Sequence, residues 1–435
     1  MQLSRPITLK CGLILPNRLV KAAVAESMAP GNNLPDEQFH SLYAHWAGGG
    51  WGMIVTGNVQ VDTMFLGTHS DLAVDNLMDD DTIISAWKSW ATILNKNNTP
   101  TVMQLNHPGR QSPTGAGRRS IFAKSIAPSA IPLDLGSGVI AQTFSALVFG
   151  IPREMTLSEI RNIVKQFARA ARLAAQSGFA GVEVHAAHGY LLHQFLSEAS
   201  NKRTDSYGGT PENRVRIVVE IIKAIRAEVP AGFCVGIVLS SPDPPLKLFD
   251  IQALQIKSII GAGIDFIEVS GGTFENPSMF TGPHAAPNLQ PENGLEEPFF
   301  AEFAEAVGHL FPDIPLILTG GFRSCQSMEK AIARGVCQCV GLGRPAVINP
   351  VLPKSIALNP TASKEIDVLY TKKIEAPWYV KLLGVRALNV HFDNAWYIRQ
   401  LKEMASEKSI TVHFRTTPFS IWKPRTIWTA WAIPA

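Results

Sequence analysis

The chain has 435 residues, with 39 Lys and Arg against 36 Asp and Glu, which gives a formal net charge of +3. This near balance gives no reason to expect nucleic acid or an anionic membrane surface as a partner, and no apolar run approaches the roughly 20 residues that span a bilayer. The first residues lack a secretion signal, and the five cysteines are scattered and odd in number. We therefore expect a cytoplasmic protein with reduced thiols and a small-molecule ligand.

Short segments rich in β-branched residues recur eight times along the chain. They alternate with helical patterns, of which the clearest starts at Thr156 with a capping box and ends at Gly178. Eight parallel strands joined by helices predict a (β/α)8 TIM barrel, whose active site lies at the carboxyl ends of the strands. The predicted strands are 19–24, 53–55, 101–104, 181–184, 234–238, 266–269, 315–318 and 337–340, and the further predicted helices are 82–95, 211–228, 250–260, 297–310 and 324–334.

Two segments depart from this repeat. Residues 108–152 form a Gly-, Ser- and Pro-rich insertion after the third strand, too long for an ordinary connection, which we interpret as a cap over the pocket. Beyond residue 350 the pattern predicts one helix, at 394–404, and then an aromatic tail at 409–435. We therefore divide the chain into a barrel at 1–365, which includes the cap, and a C-terminal helical segment with its tail at 366–435.

The sequence HAAHGY at 185–190 follows directly on the fourth predicted strand. Two ring N–H groups, from His185 and His188, can converge on one oxygen and stabilise developing negative charge, while Tyr190 can deliver a proton nearby. A structural histidine pair or two ligands of a metal ion are the alternatives, and these six residues alone leave all three open.

A dense polar block, LLHQFLS at 191–197 and NKRTDSYGGTPENR at 201–214, follows this sequence. Together they resemble the block that is typical of the old yellow enzyme family of flavin-dependent ene-reductases. The resemblance extends from about residue 9 to about residue 350. It includes, in the family's order, NRLV at 17–20, QLNHPGR at 104–110, TGGFR at 319–323 and GLGRP at 341–345.

Glycine backbone N–H groups with a neighbouring cation suit a phosphate, so the pair of glycine motifs after strands seven and eight favours a phosphorylated cofactor. The resemblance implies that this cofactor is FMN. Its phosphate would be bound by Gly320, Gly321, Gly343 and Arg344, and its ring would be contacted by Ala23, Val24, Ala25, Asn58, Gln104 and His185.

The resemblance also implies a reaction. NADPH or NADH reduces FMN, His185 and His188 hold the carbonyl or nitro oxygen of an activated alkene, and Tyr190 protonates the α-carbon after hydride transfer to the β-carbon. A tyrosine with its usual pKa near 10 is protonated at neutral pH and suits this role. The predicted partner is a small activated alkene, and homo-oligomerisation is left open.

The chain departs from the family pattern at three places. Relatives carry Arg or Lys where Val238 stands, and since reduced flavin is negatively charged at its N1 edge, we expect a lower flavin potential or weaker FMN binding. Ala25 replaces a Thr or Cys, and the loop at 241–247 is shorter than in the family. Arg214 or Lys247 is the candidate to supply a substitute charge.

Three alternatives follow from these departures. The same flavin barrel could catalyse a dehydrogenation or an isomerisation. A metal-dependent aldolase or hydrolase would use His185 and His188 as ligands, although the sequence offers no evident third ligand. A flavin- or ligand-binding protein without catalysis would explain the loss of the cation at Val238. The sequence leaves the physiological substrate open.

Overall fold

The computed structural model describes residues 1–242, 249–276, 299–359 and 369–406. Eight parallel strands form a closed barrel, because the first strand pairs with both the second and the last. The strands are β1 (Leu19–Lys21), β2 (Met53–Gln60), β3 (Thr101–Asn106), β4 (Gly181–Ala186), β5 (Cys234–Ser241), β6 (Phe266–Gly271), β7 (Leu316–Thr319) and β8 (Cys339–Leu342).

All eight predicted strands are present, so the predicted (β/α)8 barrel is confirmed. Their bounds differ from the prediction mainly at the carboxyl ends, where β2 and β5 continue to Gln60 and Ser241. Most of these extra residues are glycine or polar, so a search for β-branched runs does not detect them. The last strand begins at Cys339 rather than at residue 337.

Helices surround the barrel: α1 (Glu37–Ala47), α2 (Asp80–Asn95), α3 (Leu157–Gln176), α4 (Pro211–Glu228), α5 (Phe249–Gly261), α6 (Ala301–Leu310), α7 (Cys325–Ala333) and α8 (Arg386–Ala405). Shorter helical segments are Gly109–Gln111, Val139–Val148, Leu191–Leu196, Arg344–Ile348, Pro353–Ala357 and Trp378–Lys381. The sequence analysis missed α1, whose N-cap Asp36 accepts bonds from the backbone of Gln38 and Phe39. It also placed the start of α8 eight residues too late.

The capping box predicted at Thr156 is present at the start of α3. The Thr156 hydroxyl accepts from the Glu159 N–H at 3.3 Å, and the Glu159 carboxylate accepts from the Thr156 N–H at 2.9 Å. The helix then buries Ile160, Ile163 and Phe167 against the barrel. It ends where Gly178 takes a φ of +93°, a conformation that costs glycine least.

Side chains alternate between the inside and the outside of the barrel along each strand. The inner apolar layer fills the amino half and contains Val55, Val102, Phe266 and Ile317, together with Leu15 from an N-terminal hairpin of strands Ile7–Thr8 and Ile14–Leu15. The outer layer packs under the helices. The carboxyl half of the interior is left to polar side chains, and these form the site.

The insertion after β3 lies across the carboxyl end of the barrel. It contains the helix Val139–Val148 and a two-residue strand, Ile126–Ala127, that pairs with Arg153–Glu154. The Asp134 N–H donates to Glu275 Oε1 at 2.9 Å in the loop after β6. Arg110 joins the same carboxylate, with 2.7 Å between Arg110 Nη2 and Glu275 Oε2.

Helix α8 packs against α1 and the short helix Arg344–Ile348, so it completes the outer ring next to the first strand. Leu401 and Met404 are buried in that contact. The aromatic tail at 409–435 lies outside the described residues. Every helix in the described part of the chain is too short or too polar to cross a bilayer.

Candidate active site

The carboxyl half of the barrel presents a ring of inward-facing polar side chains. Strand register places Gln104 of β3 beside Glu183 of β4, and Val238 of β5 between His185 of β4 and Glu268 of β6. Neighbouring residues in these strands, such as Val184 and Ile267, pack outward under the helices, which fixes the inward direction of the polar set.

The two predicted imidazoles lie together above this ring. His185 Nε2 and His188 Nδ1 are 3.3 Å apart, and the two ring centroids are 5.0 Å apart. A single oxygen that lies to one side of the pair can therefore be within hydrogen-bond distance of both nitrogens. The structure thus brings together the two donors that the sequence predicted.

Neighbouring groups fix the tautomer of one of the two rings. The Ala187 N–H donates to His185 Nδ1 at 3.3 Å, which favours a proton on Nε2. That proton can be donated to His188 Nδ1 at 3.3 Å, in which case His188 Nε2 donates to the Ser270 hydroxyl at 3.0 Å. If the Ser270 hydroxyl donates to His188 Nε2 instead, the His188 proton is on Nδ1 and both facing nitrogens can donate to a ligand oxygen.

The loop after β4 holds His188 in the left-handed region, with a φ of +56°. Its N–H donates to the Ser240 hydroxyl at 3.0 Å and its carbonyl accepts from Gln111 Nε2 at 3.0 Å. A left-handed conformation at a non-glycine residue costs about 1 kcal/mol or more, so these contacts hold the ring in a strained but defined orientation.

Burial keeps the histidines of this region neutral. It lowers the pKa of His188 to about 3 and of His193 to about 4, and it lowers that of His185 well below the usual value. A neutral imidazole still donates through its remaining N–H group. The oxyanion site therefore operates through neutral donors, and its protonation state does not change near pH 6.5.

This burial makes folding stability depend on pH. His107 is also buried with a pKa of about 3, so the unfolded chain binds protons below about pH 6.5 that the folded chain does not. Each such histidine lowers the free energy of unfolding by about 1.4 kcal/mol per pH unit as the pH falls below that value. Urea unfolding between pH 7 and pH 5 measures this slope.

Buried carboxyls with a raised pKa change the free energy of unfolding in the opposite direction as the pH falls. The contribution of one histidine is therefore measured by comparing the wild type with a variant that lacks it. His107→Gln keeps an acceptor near the Gly109 N–H, which donates to His107 Nδ1 at 3.0 Å. We expect the slope of this variant to be smaller than that of the wild type by one histidine's contribution. Equal slopes would show that His107 titrates alike in the folded and unfolded states.

Tyr190 lies beside the histidine pair. Its ring is perpendicular to that of His185, with 4.8 Å between centroids and an interplanar angle of 88°. Burial and the nearby Asp71 carboxylate raise the pKa of the phenol above its ordinary value. The phenol is therefore protonated at neutral pH and available as a donor at the site.

Gln104, which was predicted to contact the flavin ring, forms hydrogen bonds inside the barrel. Its Nε2 donates to Glu183 Oε2 at 2.7 Å, and its N–H donates to the Thr56 hydroxyl at 3.1 Å. The first bond orients the amide, so that the side-chain oxygen of Gln104 is the atom left for a ligand. Asn58 is its strand partner in β2 and is half-buried.

The segment after β1 forms one wall of the same opening. Ala23 and Val24 are half-buried and Ala25 is exposed. Directly after them Glu26 is buried, accepting from the Gly57 N–H at 3.0 Å and from the Tyr43 hydroxyl. This anchoring fixes the backbone at residues 23–25, which is the part the sequence analysis assigned to the flavin.

The predicted phosphate-binding residues come together at the ends of β7 and β8. Thr319 and Gly341 are strand partners, which places Gly320 and Gly321 next to the start of the helix Arg344–Ile348. Gly320 and Gly321 have φ values of +119° and +87°. Arg344 Nη1 is 3.2 Å from Asp393 Oδ2 of α8, so the C-terminal helix orients this guanidinium.

These residues fit FMN by their chemistry. Consecutive glycines with positive φ next to an arginine offer backbone donors and a cation to a phosphate. In the ring region, both amide atoms of Asn106, which faces inward two residues after Gln104, have no hydrogen-bond partner among the described residues. A polar heterocycle in this pocket would supply partners for such groups.

The sequence analysis suggested that Arg214 or Lys247 could replace the missing cation. For Arg214 this was wrong, because its guanidinium is buried at the start of α4 and donates to the carbonyls of Leu196 and Gly209. Lys247 lies outside the described residues, as does most of the loop at 241–247.

Sequence reasoning missed several residues of the site. Glu183 and Glu268 are fully buried among apolar strand residues, and a carboxylate in the middle of such a short apolar strand was the available signal. Ser240 and Ser270, which contact His188, gave no signal, because serines at strand ends are common and their neighbours in space depend on strand register.

The metal-site interpretation of the histidine pair finds no third ligand in the part of the chain that the structure describes. The cluster of metal-ligating residue types that does occur there comprises Cys11, Cys234 and Asp265, at the amino end of the barrel. The Asp265 carboxylate already accepts from Arg226 at 2.6 Å and from the Val235 N–H at 2.7 Å.

Comparison with known proteins agrees with this geometry. The sequence profile of the NADH:flavin oxidoreductase / NADH oxidase family matches residues 2–361. The chain is 57% identical over 408 residues to an NADH-dependent flavin oxidoreductase of Talaromyces variabilis, covering 93% of this chain and 98% of the relative. It is 51% identical over 393 residues to one of Hypocrea jecorina (strain QM6a), covering 90% and 98%.

Among solved structures, the chain superposes on the old yellow enzyme homologue from Zymomonas mobilis with a TM-score of 0.65 and 23% identity, covering 85% of this chain and 96% of that one. This likeness supports the fold, and the family profile supports the cofactor. The chain therefore belongs to the NADH:flavin oxidoreductase / NADH oxidase family and is an FMN-containing, NAD(P)H-dependent oxidoreductase with the barrel of the old yellow enzymes.

Proposed function

We propose that this enzyme reduces the C=C bond of a small α,β-unsaturated carbonyl or nitro compound. The observation that carries the proposal is the 3.3 Å separation of His185 Nε2 and His188 Nδ1, with the Tyr190 ring 4.8 Å from that of His185. Two donors for one oxygen and an adjacent acid are what an activated alkene needs, because charge develops on its oxygen and a proton must reach its α-carbon.

The residues divide the work as follows. FMN, held by the glycine loops and Arg344, would supply the hydride chemistry that links NAD(P)H to the β-carbon of the alkene. His185 and His188 bind the carbonyl or nitro oxygen and stabilise the negative charge that builds up there. The raised pKa of Tyr190 keeps its phenol protonated at neutral pH, so that it can donate this proton to the α-carbon.

Nicotinamide and alkene would use the same pocket in turn, which gives ping-pong kinetics. The two relatives from Talaromyces variabilis and Hypocrea jecorina are described as NADH-dependent flavin oxidoreductases, which supports NADH as the donor. Steady-state assays with cyclohexenone and maleimide, each with NADH and with NADPH, test the proposal. Parallel double-reciprocal plots and a saturated product support it, whereas NADH oxidation that does not respond to either alkene contradicts it.

A second candidate is an isomerisation that needs no net electron transfer. Val238 favours it, because an apolar side chain where relatives carry a cation disfavours the negatively charged reduced flavin. Incubation of an enone with the enzyme in D2O distinguishes the two reactions. Deuterium entering the substrate without NADH consumption indicates isomerisation, and deuterium entering only together with NADH oxidation indicates reduction. Failure of both reactions would favour a binding protein without catalysis.

The effect of Val238 itself can be measured. We expect Val238→Arg to raise the flavin midpoint potential by roughly 30 to 60 mV, the equivalent of about 1.5–3 kcal/mol for one charge-assisted hydrogen bond in a two-electron couple. The new guanidinium would lie between His185 and Glu268 and would be paired by the carboxylate. Val238→Met is the control, because it adds length without charge. Unchanged potential and FMN affinity in Val238→Arg would contradict the account.

A further inference from the structure

Two carboxyl groups face each other beneath the histidine pair. Glu183 of β4 and Glu268 of β6 flank β5 and are 0% and 3% exposed. They lie close enough for each to affect the pKa of the other. Two carboxyls in contact can hydrogen-bond to each other only when one of them carries a proton, because two ionised carboxylates have no donor to offer.

Other donors near the pair are few. Gln104 Nε2 donates to Glu183 Oε2 at 2.7 Å, and the Thr319 hydroxyl is next to Glu268. Apart from the contact between the two carboxyls, neither Glu183 Oε1 nor Glu268 Oε2 has a hydrogen-bond partner among the described residues. Hydrogen bonds would therefore leave two buried negative charges without full compensation.

Lys21 compensates this charge only in part. It lies on the outward side of β1, where its ammonium donates to the Val55 carbonyl at 2.9 Å and sits 4.3 Å from the centre of the Trp46 ring. Its positive charge acts against the rise in the pKa of Glu268, but it interacts with the buried carboxyl of Glu26 as well. His185, above the pair, is neutral, and position 238 between the two strands holds valine.

The electrostatics agree with this geometry. Burial raises the pKa of Glu268 to about 7, and burial followed by repulsion from Glu268 raises the pKa of Glu183 well above its usual range. The pair behaves as one unit, in which the first carboxyl to ionise makes the second harder to ionise.

We propose that Glu183 and Glu268 share one proton at the floor of the flavin pocket, and that this proton removes one of the two negative charges that would otherwise oppose the reduction of FMN in a pocket with no cation at position 238. Gln104, which resemblance places at the polar edge of the flavin ring, connects the pair to the cofactor. The inference depends on FMN binding but not on which substrate reoxidises the flavin, so it goes beyond the reaction proposed above.

Infrared difference spectroscopy tests the proposal. A protonated carboxyl has a C=O stretch above the amide I band, and this stretch shifts in D2O. We expect the FMN-loaded enzyme, reduced anaerobically, to show a change in this band relative to its oxidised state. Glu183→Gln and Glu268→Gln keep the shape and the hydrogen-bonding capacity of the side chains, and each should lose the band.

Two further variants act as controls. Asp62→Asn removes a buried carboxyl that accepts from Gln166 at 3.1 Å in another part of the barrel wall, and it should keep the reduction-sensitive band. Val238→Met leaves the charge beside the pair unchanged, and it should keep the band too. Absence of the band from the wild type, or its survival in both glutamine variants, would overturn the proposal.

The protein without FMN separates this proposal from the reaction. The difference between the infrared spectra of the FMN-free wild type and the FMN-free Glu268→Gln variant should still show the C=O band of the protonated carboxyl. The reason is that the pair exists before the cofactor binds. If the band is present in this form but enones are not reduced, the proposed function fails and the shared proton stands. If the spectrum of the FMN-free protein lacks this band, the proposal of a shared proton is wrong, whichever compound the enzyme reduces.

Discussion

Tyr190→Phe is expected to lower turnover of cyclohexenone by about 10²- to 10⁴-fold, the range usual for loss of a positioned general acid. Phenylalanine keeps the ring that packs against His185 with 4.8 Å between centroids, so the pocket should retain its shape. Only the phenolic proton is lost. Reduction of FMN by NADH does not need that proton and should proceed at the wild-type rate.

Rapid-mixing measurements of the two half-reactions separate these effects. Tyr207→Phe is the matched control, because the Tyr207 hydroxyl donates to Glu220 at 2.9 Å on α4, away from the histidine pair. Equal losses in both half-reactions of Tyr190→Phe would indicate a damaged pocket rather than a missing acid. Full activity of Tyr190→Phe would remove Tyr190 from the mechanism.

Gly321→Ala is expected to weaken FMN binding by at least about tenfold, which corresponds to about 1.4 kcal/mol. The position has a φ of +87°, where an L-residue costs roughly 1–2 kcal/mol, and an added Cβ would lie 2.7 Å from the Phe299 backbone nitrogen. The loop must shift to accommodate it, which displaces the backbone donors proposed to hold the phosphate.

Gly335→Ala provides the comparison for this prediction. Its φ of +78° imposes similar backbone strain, but nothing lies within 4 Å of an added Cβ, and the residue is remote from the glycine loops because it follows α7 at the other end of the barrel. We expect this variant to lose stability but to bind FMN as the wild type does. Fluorescence titration of FMN gives both dissociation constants. Equal weakening in the two variants would mean that strain alone, and not the phosphate loop, sets the affinity.

Much of the barrel was predictable because the β-branched runs and the capping box at Thr156 are local signals. The histidine pair and Tyr190 were also predictable, since six consecutive residues after a strand fix their approximate positions. Helix α1 was missed although the signal was present, because its buried residues recur at helical spacing after the N-cap Asp36: Phe39, Leu42, Tyr43, Trp46 and Ala47. Helix ends depend on tertiary packing, and the early start of α8 at Arg386 reflects its contact with the cap through Val385 and Leu135.

The floor of the site could not be predicted in the same way. Glu183 and Glu268 are 85 positions apart, and only strand register places them on either side of β5, where Glu183 pairs with Gly236 and Glu268 pairs with Val238. The resemblance to the family predicted the loss of a cation at position 238, but it did not predict what surrounds that position. The sequence analysis proposed Arg214 as a substitute cation, but its guanidinium donates to two backbone carbonyls in the segment after β4.

The visible absorption spectrum of the purified protein tests the central claim most directly. The protein is incubated with FMN, passed through a gel-filtration column and then mixed anaerobically with NADH and afterwards with cyclohexenone. We predict retained flavin absorbance that NADH bleaches and that the enone restores. Loss of FMN on the column, or bound flavin that NADH cannot bleach, would contradict the account of this barrel as an NADH-reducible FMN enzyme.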